Sequence, residues 1–84
     1  MAEWETFVED TLIKLFADEL DVAASSLSEV SSPDTVATWD SLASMNLIAA
    51  IEEVYVTRLT TAEIMYMNTI GRAREVLRRK GCEV

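Results

Sequence analysis

An all-α fold, a small four-helix bundle with a long loop between helices 1 and 2 and a short helix 3, is predicted by three observations. Apolar residues recur at three- and four-residue spacing along most of the chain. No stretch keeps a period of two. Only two Gly and one Pro occur in 84 residues, so turn signals are few. Half the residues are apolar, enough to drive folding. A chain of this length buries only about 60% of its unfolded surface, which suits one domain (1–84) with a simple core.

The first helix is expected over about residues 3–20. Trp4, Phe7, Val8, Thr11, Leu12, Leu15 and Phe16 share one broad face. Glu5, Glu9, Asp10 and Asp18 point mostly away from it, and Ile13 lies off the stripe. Glu3 and Glu5 suit the positive pole of the helix dipole. This is a core-facing pattern, not a cofactor site.

Residues 21–40 read as a long loop, marked by Ser25, Ser26, Ser28, Ser31, Ser32 and Pro33. A loop this long in a small domain needs pins. Val22, Leu27, Val30 and Val36 are the expected ones, with a helical turn near Ala23–Leu27. Trp39 is expected to be partly buried, because an indole is costly to leave in water.

The central helix is expected over 41–56. Asp40 and Ser41 are both capping residue types, and good helix formers follow. Turned at 100° per residue, Leu47, Ile48, Ile51, Val54 and Tyr55 make a core face. Leu42, Met45 and Ala49 fall almost opposite, beside Glu52 and Glu53. A helix that only fills a core has no need of that second ridge. Thr60 and Glu63 have capping-box spacing and predict a short helix over 61–66, with Ile64 and Met65 buried. Asn68 and Thr69 cap a last helix, about 69–80. Its inner stripe is Ile70, Ala73, Val76 and Leu77, and its outer face carries Arg72, Arg74, Arg78, Arg79 and Lys80. Gly81 stops it and residues 81–84 form a tail holding Cys82.

Charge narrows the function classes. The net charge is −8. Residues 1–57 hold twelve acids and one base, Lys14, whereas residues 58–84 hold three acids and six bases. Nucleic acid and anionic membranes are therefore unfavoured partners, and basic protein surfaces favoured ones. A lone Cys forms no internal disulfide, and an acidic start lacks the basic segment of a signal peptide, so the cytoplasm is expected. With no His, no Gly-rich phosphate loop and little volume for a pocket, enzyme activity and a metal site are not expected.

Asp40-Ser41-Leu42, opening an amphipathic helix that ends in Glu52-Glu53 and Tyr55, mid-chain in a short acidic protein, resembles the acyl carrier proteins. The resemblance spans nearly the whole chain. It implies that Ser41 carries a covalent 4′-phosphopantetheine from coenzyme A, with Asp40 and Leu42 helping recognition by the phosphopantetheinyl transferase. It implies a partner strip of Leu42, Met45, Ala49, Glu52 and Glu53. It also implies an acyl pocket walled by Ile64, Met65 and Met67 beside the short third helix. Implied partners are that transferase, an acyl-activating ligase or acyltransferase, and synthase enzymes with basic docking patches; the carrier itself is expected to be monomeric. Members of fatty-acid synthesis usually carry acids early in the central helix, where this chain has Ala43, Ser44 and Asn46. Peptidyl carriers often show Gly-Gly before the Ser, where this chain has Thr38-Trp39-Asp40. A discrete carrier of a dedicated pathway fits best. The competing reading is an unmodified acidic helical module that binds a basic partner through the same helix.

Overall fold

The computed structural model describes residues 10–84, all helix, turn and loop. Among the described residues four helices run in order: α1 (Thr11–Leu20), α2 (Ser41–Val54), α3 (Thr61–Tyr66) and α4 (Ile70–Arg79). A 3₁₀ turn, Ala24–Ser26, interrupts the long loop where a helical turn was expected. Leu12, Phe16 and Leu20 from α1, Ile51 from α2 and Ile70 and Leu77 from α4 are the largest fully buried side chains. Helices α2 and α4 thus close on the α1 stripe. Among the described residues no helix is long and apolar enough to cross a membrane.

Helix α1 begins later than residue 3. Asp10 has extended backbone (φ −85°, ψ 97°), and its carboxylate accepts the Ile13 N–H at 3.2 Å. A residue so placed caps a helix and cannot lie inside one. Trp4, Phe7 and Val8 lie outside the described residues. Thr11, expected on the core stripe, is exposed, while Ile13 packs against the core. Asp21, left-handed at φ 58°, ends the helix, which an Asp tolerates better than most residues.

The loop is pinned differently from expectation. Val36 is buried, and Val22 and Leu27 pack partly against the core, but Val30 is 78% exposed. Backbone does the work expected of Val30. The first amides of α4 have no partner within their own helix. Ile70 N–H donates to Ser31 O at 3.2 Å and Gly71 N–H to Glu29 O at 2.8 Å. Ser31, buried, accepts the Ser28 N–H on its hydroxyl. At the other end Thr38 Oγ1 donates to Leu20 O at 2.6 Å, tying the loop to the end of α1.

Gly71 permits this docking, because a Cβ there would stand 3.0 Å from Glu29 O. Gly71→Ala gains up to about 1 kcal/mol of helix propensity. It meets a backbone oxygen held by its own amide, and overpacking of this kind costs about 1–3 kcal/mol. A net loss near 1 kcal/mol is expected, seen as a melting temperature lowered by about 4–8 °C. A higher melting temperature would show that the loop sits further from α4.

Arg74 does not face outward. It is 8% exposed, and its guanidinium bonds Glu29 of the loop at 2.9 Å through both Nε and Nη2, and Asp10 at 2.7 Å. One side chain of α4 thus joins the cap of α1 to the docked loop. Around Asp10, desolvation pushes the carboxyl pKa up, but the bonds from Arg74 and the Ile13 amide outweigh it and leave the value below the ordinary one. Tyr55, expected on the core face of α2, packs against the core with its hydroxyl buried and unpartnered among the described residues. Burial, and next the nearby Asp10 charge, push its pKa up, so it stays neutral.

Helix α2 ends at Val54, two residues early, and Val54 is 52% exposed instead of core-facing. Val56 then turns the chain in the left-handed region (φ 51°), which is strained for a β-branched residue. Val56→Gly relieves about 1–2 kcal/mol of strain and gives back part of it as unfolded-state entropy. A net gain of about 0.5–1 kcal/mol is expected, read by thermal melting. An unchanged or lower melting temperature would mean that the turn is not strained.

Helix α3 has both arms of its capping box: Glu63 N–H donates to Thr60 Oγ1 at 3.1 Å and Thr60 N–H to Glu63 Oε1 at 2.9 Å. It buries none of its residues. Met65 is 75% and Ile64 37% exposed, against the expected burial of both. Two turns are too short for an apolar face of its own, so polar ties hold α3 to α4. Lys80 Nζ donates to Glu63 at 3.0 Å, Tyr66 O–H to Glu75 Oε1 at 2.7 Å, and Arg72 lies over the Tyr66 ring at 4.9 Å. Met67, just past the helix, reaches the core.

Helix α4 starts on its Thr69 cap, whose hydroxyl accepts the Arg72 N–H at 3.1 Å. It ends with Gly81 at φ 87°, the Gly81 amide on Arg78 O and the Cys82 amide on Leu77 O, a Schellman arrangement. That closure folds the tail back. Cys82 and Val84, expected only as part of a tail, pack against the core.

Candidate functional site

Asp40 and Ser41 divide the start of α2 between them. Asp40 has extended backbone and its carboxylate accepts the Ala43 N–H at 2.9 Å, so Asp40 is the cap. Ser41 is the first helical residue. Its side chain is exposed and has no hydrogen-bond partner among the described residues. The hydroxyl is therefore free of structural duty. The helix's positive pole and its unpaired first amides lie beside it, a setting that favours a phosphate ester.

Beyond Ser41, along the outward side of α2, Leu42 is 68% and Met45 70% exposed, and Ala49 and Glu53 are also exposed. Glu52 departs from the expected strip. It is half-buried, and its Oε2 accepts the Leu59 N–H at 2.9 Å, bracing the chain after α2. The outward strip is thus Leu42, Met45, Ala49 and Glu53.

Between α2 and α3 the surface opens into an apolar groove of about 270 Å³ lined by Ser44, Met45, Ile48 and Ile64. A smaller cavity of about 70 Å³ lies further in, walled by Phe16, Trp39, Leu47, Ile51 and Met67 together with Ser44, Ile48 and Ile64. The last three residues line both spaces. Of the expected pocket residues, Ile64 and Met67 are in the wall and Met65 is not; it points to solvent. Trp39 is 5% exposed, more buried than expected. It meets Phe16 edge-on, with ring centroids 5.3 Å apart, and its indole Nε1–H donates to Ser44 Oγ at 3.0 Å.

Ser44 and Trp39 were not among the pocket residues expected from sequence. Spacing contained a signal for Ser44, three residues after Ser41 and four before Ile48, hence on one side of the helix. Nothing in the sequence fixed the direction of the Trp39 indole, five residues before Ser44. Larger hollows of about 310 and 460 Å³ flank α1, but they are open and edged by Asp18, Lys14 and other charged residues.

The chain matches no family model and no curated protein.

Proposed function

We propose that this chain is an acyl carrier protein that bears 4′-phosphopantetheine on Ser41. The observation that carries the reading is the exposed, unpartnered Ser41 hydroxyl at the first turn of α2, with capping done by Asp40. In the loading step Ser41 Oγ attacks the β-phosphorus of coenzyme A. The Oγ–P bond forms, the P–O bond to the adenylate half breaks, and 3′,5′-adenosine bisphosphate leaves. The serine proton goes to a base of the transferase, which also supplies the Mg²⁺ that offsets the phosphate charge. The terminal thiol then carries acyl groups as thioesters. The carrier does no chemistry of its own.

The outward strip supports the same reading. Exposed Leu42 and Met45 beside the attachment point, on the acidic part of the chain, fit partners with an apolar pocket and a basic rim. Those partners are the transferase in the cytoplasm, an acyl-activating ligase or acyltransferase, and the enzymes of a dedicated biosynthetic pathway. Met45→Glu should leave the melting temperature almost unchanged, since Met45 touches little of the core. It should slow loading or acyl transfer about tenfold, the size of a lost hot-spot residue. Unfolding of that variant would mean that Met45 belongs to the core.

The deciding experiment is the intact mass after incubation with coenzyme A, Mg²⁺ and a broad-specificity phosphopantetheinyl transferase. Gain of one phosphopantetheine supports the carrier. No gain on folded protein with several transferases overturns it and leaves the unmodified module that binds a basic partner.

A further inference from the structure

We infer that Met45 is a reversible oxidation site, and that a peroxide acting on it turns off docking to the partner enzymes; this rests on the outward strip of α2 being the docking surface. Methionine occupies both exposed and buried positions near that strip. Met45, on α2, is 70% exposed and lines the apolar groove, and Met65, on α3, is 75% exposed. Met67 is the contrast: it is 7% exposed and belongs to the core. Among the described residues Met45 is the one thioether on the strip with Leu42, Ala49 and Glu53, one turn of helix from Ser41.

Exposure decides which sulfur reacts. A thioether in water presents its lone pair to a peroxide, and one packed in a core does not. The Met45 sulfur attacks one oxygen of hydrogen peroxide. The S–O bond forms as the O–O bond breaks, and the leaving hydroxide takes the proton of the transferred oxygen and departs as water. The sulfide is oxidised by two electrons to the sulfoxide and the peroxide is reduced. The return takes two electrons from two thiols, which become a disulfide, and the oxygen leaves as water. Methionine sulfoxide reductases perform it, one enzyme for each sulfoxide epimer.

The consequence falls on binding and not on folding. Met45 is neither a core residue nor one packed against the core. Its sulfoxide is hydrated in the free protein, so the fold has nothing new to bury. A partner that covers the strip must strip that water away. A soft, adaptable apolar side chain has become a polar one, and Leu42 and Ala49 beside it offer no side-chain donor to the new oxygen. An oxygen dried without a donor is unfavourable, so docking weakens. Cys82 does not compete for this role, because it is half-buried and packs against the core away from the strip.

The test treats the unmodified full chain with hydrogen peroxide, removes the peroxide with catalase, and adds dithiothreitol to reverse sulfenic acid or disulfide at Cys82. Peptide mass mapping should find Met45 and Met65 oxidised before Met67, with the melting temperature within a few degrees of the untreated protein. Phosphopantetheine loading should slow about tenfold, the size of a lost docking residue, and recover after treatment with reductases of both epimer specificities. Met65→Leu should slow after peroxide as the parent does. In Met45→Leu the rates before and after peroxide should be equal, whatever the starting rate. Unslowed loading of protein whose Met45 is shown to be oxidised, equal slowing in Met45→Leu, or unfolding on oxidation of Met45 overturns this inference, while loading of the untreated protein keeps the carrier reading. Absence of loading in untreated, folded protein overturns both.

Discussion

Ser41→Ala is expected to take up no phosphopantetheine and to melt within a few degrees of the parent. The two halves of this outcome come from different atoms. Loading needs the Ser41 oxygen, and no neighbouring hydroxyl replaces it: Ser44 is three residues on, with its Oγ already accepting the Trp39 indole. Stability does not need the Ser41 oxygen. A serine that caps a helix costs about 1 kcal/mol on truncation to Ala. Here Asp40 accepts the Ala43 amide, and Ala is the better helix former at position 41. Asp40→Ala is the informative contrast. It should lose the cap and about 1 kcal/mol, yet keep a modifiable serine that the transferase is expected to use more slowly. Mass spectrometry and thermal melting on the two variants separate the roles. Loading of Ser41→Ala would place the attachment elsewhere, and its unfolding would mean that Ser41 caps after all.

Arg74→Ala should give the largest loss of stability of any charge-removing substitution in the described chain. Arg74 is buried and joins Asp10, the cap of α1, to Glu29 of the loop. Breaking a fully buried pair costs about 3–5 kcal/mol. The two carboxylates are 42% and 54% exposed and so regain water, which reduces the expected loss to about 2–3 kcal/mol. In a domain of this size that lowers the melting temperature by about 10–20 °C. The loss should depend on pH. The Asp10 pKa is lowered in the folded protein, so its contribution is complete above the unfolded value near 3.8 and disappears as pH falls through the folded value. The gap between parent and Arg74→Ala should therefore narrow below about pH 4. A gap that stays constant from pH 7 to pH 3 would mean that Arg74 acts by packing alone.

Several features needed only neighbours in sequence. The Thr60–Glu63 capping box sits where its spacing put it, and α3 runs over the six residues expected. The Thr69 cap, the Gly81 stop and the start of α2 at Ser41 were equally legible, because each depends on bonds between residues three to five apart. The buried stripe Ile70, Ala73, Val76 and Leu77 followed from the 3.6 period. Of the candidate site, the position of Ser41 at a helix start and the outward placement of Leu42, Met45 and Ala49 belong to the same class.

Other features could not be read locally. Periodicity says which residues share a face, not how far a neighbouring element covers it. Val54 lies on the core face of α2 but beyond the reach of its neighbours, and Met65 lies on a helix too short to bury a side. Val30 looked like a pin because apolar residues usually are; the pin was a pair of α4 amides, which have no side-chain signature. Arg74 looked like surface because arginine usually is; two carboxylates from distant segments made its burial favourable. The sequence by itself determined the helices, their caps, the acidic field and the serine at the start of α2. Only the tertiary structure decided that Trp39 packs edge-on against Phe16, that an apolar groove opens between α2 and α3, and that Arg74 locks the loop. The first group rests on bonds within a turn of helix, and the second on contacts whose partners lie too far apart in the chain for any local pattern to pair them.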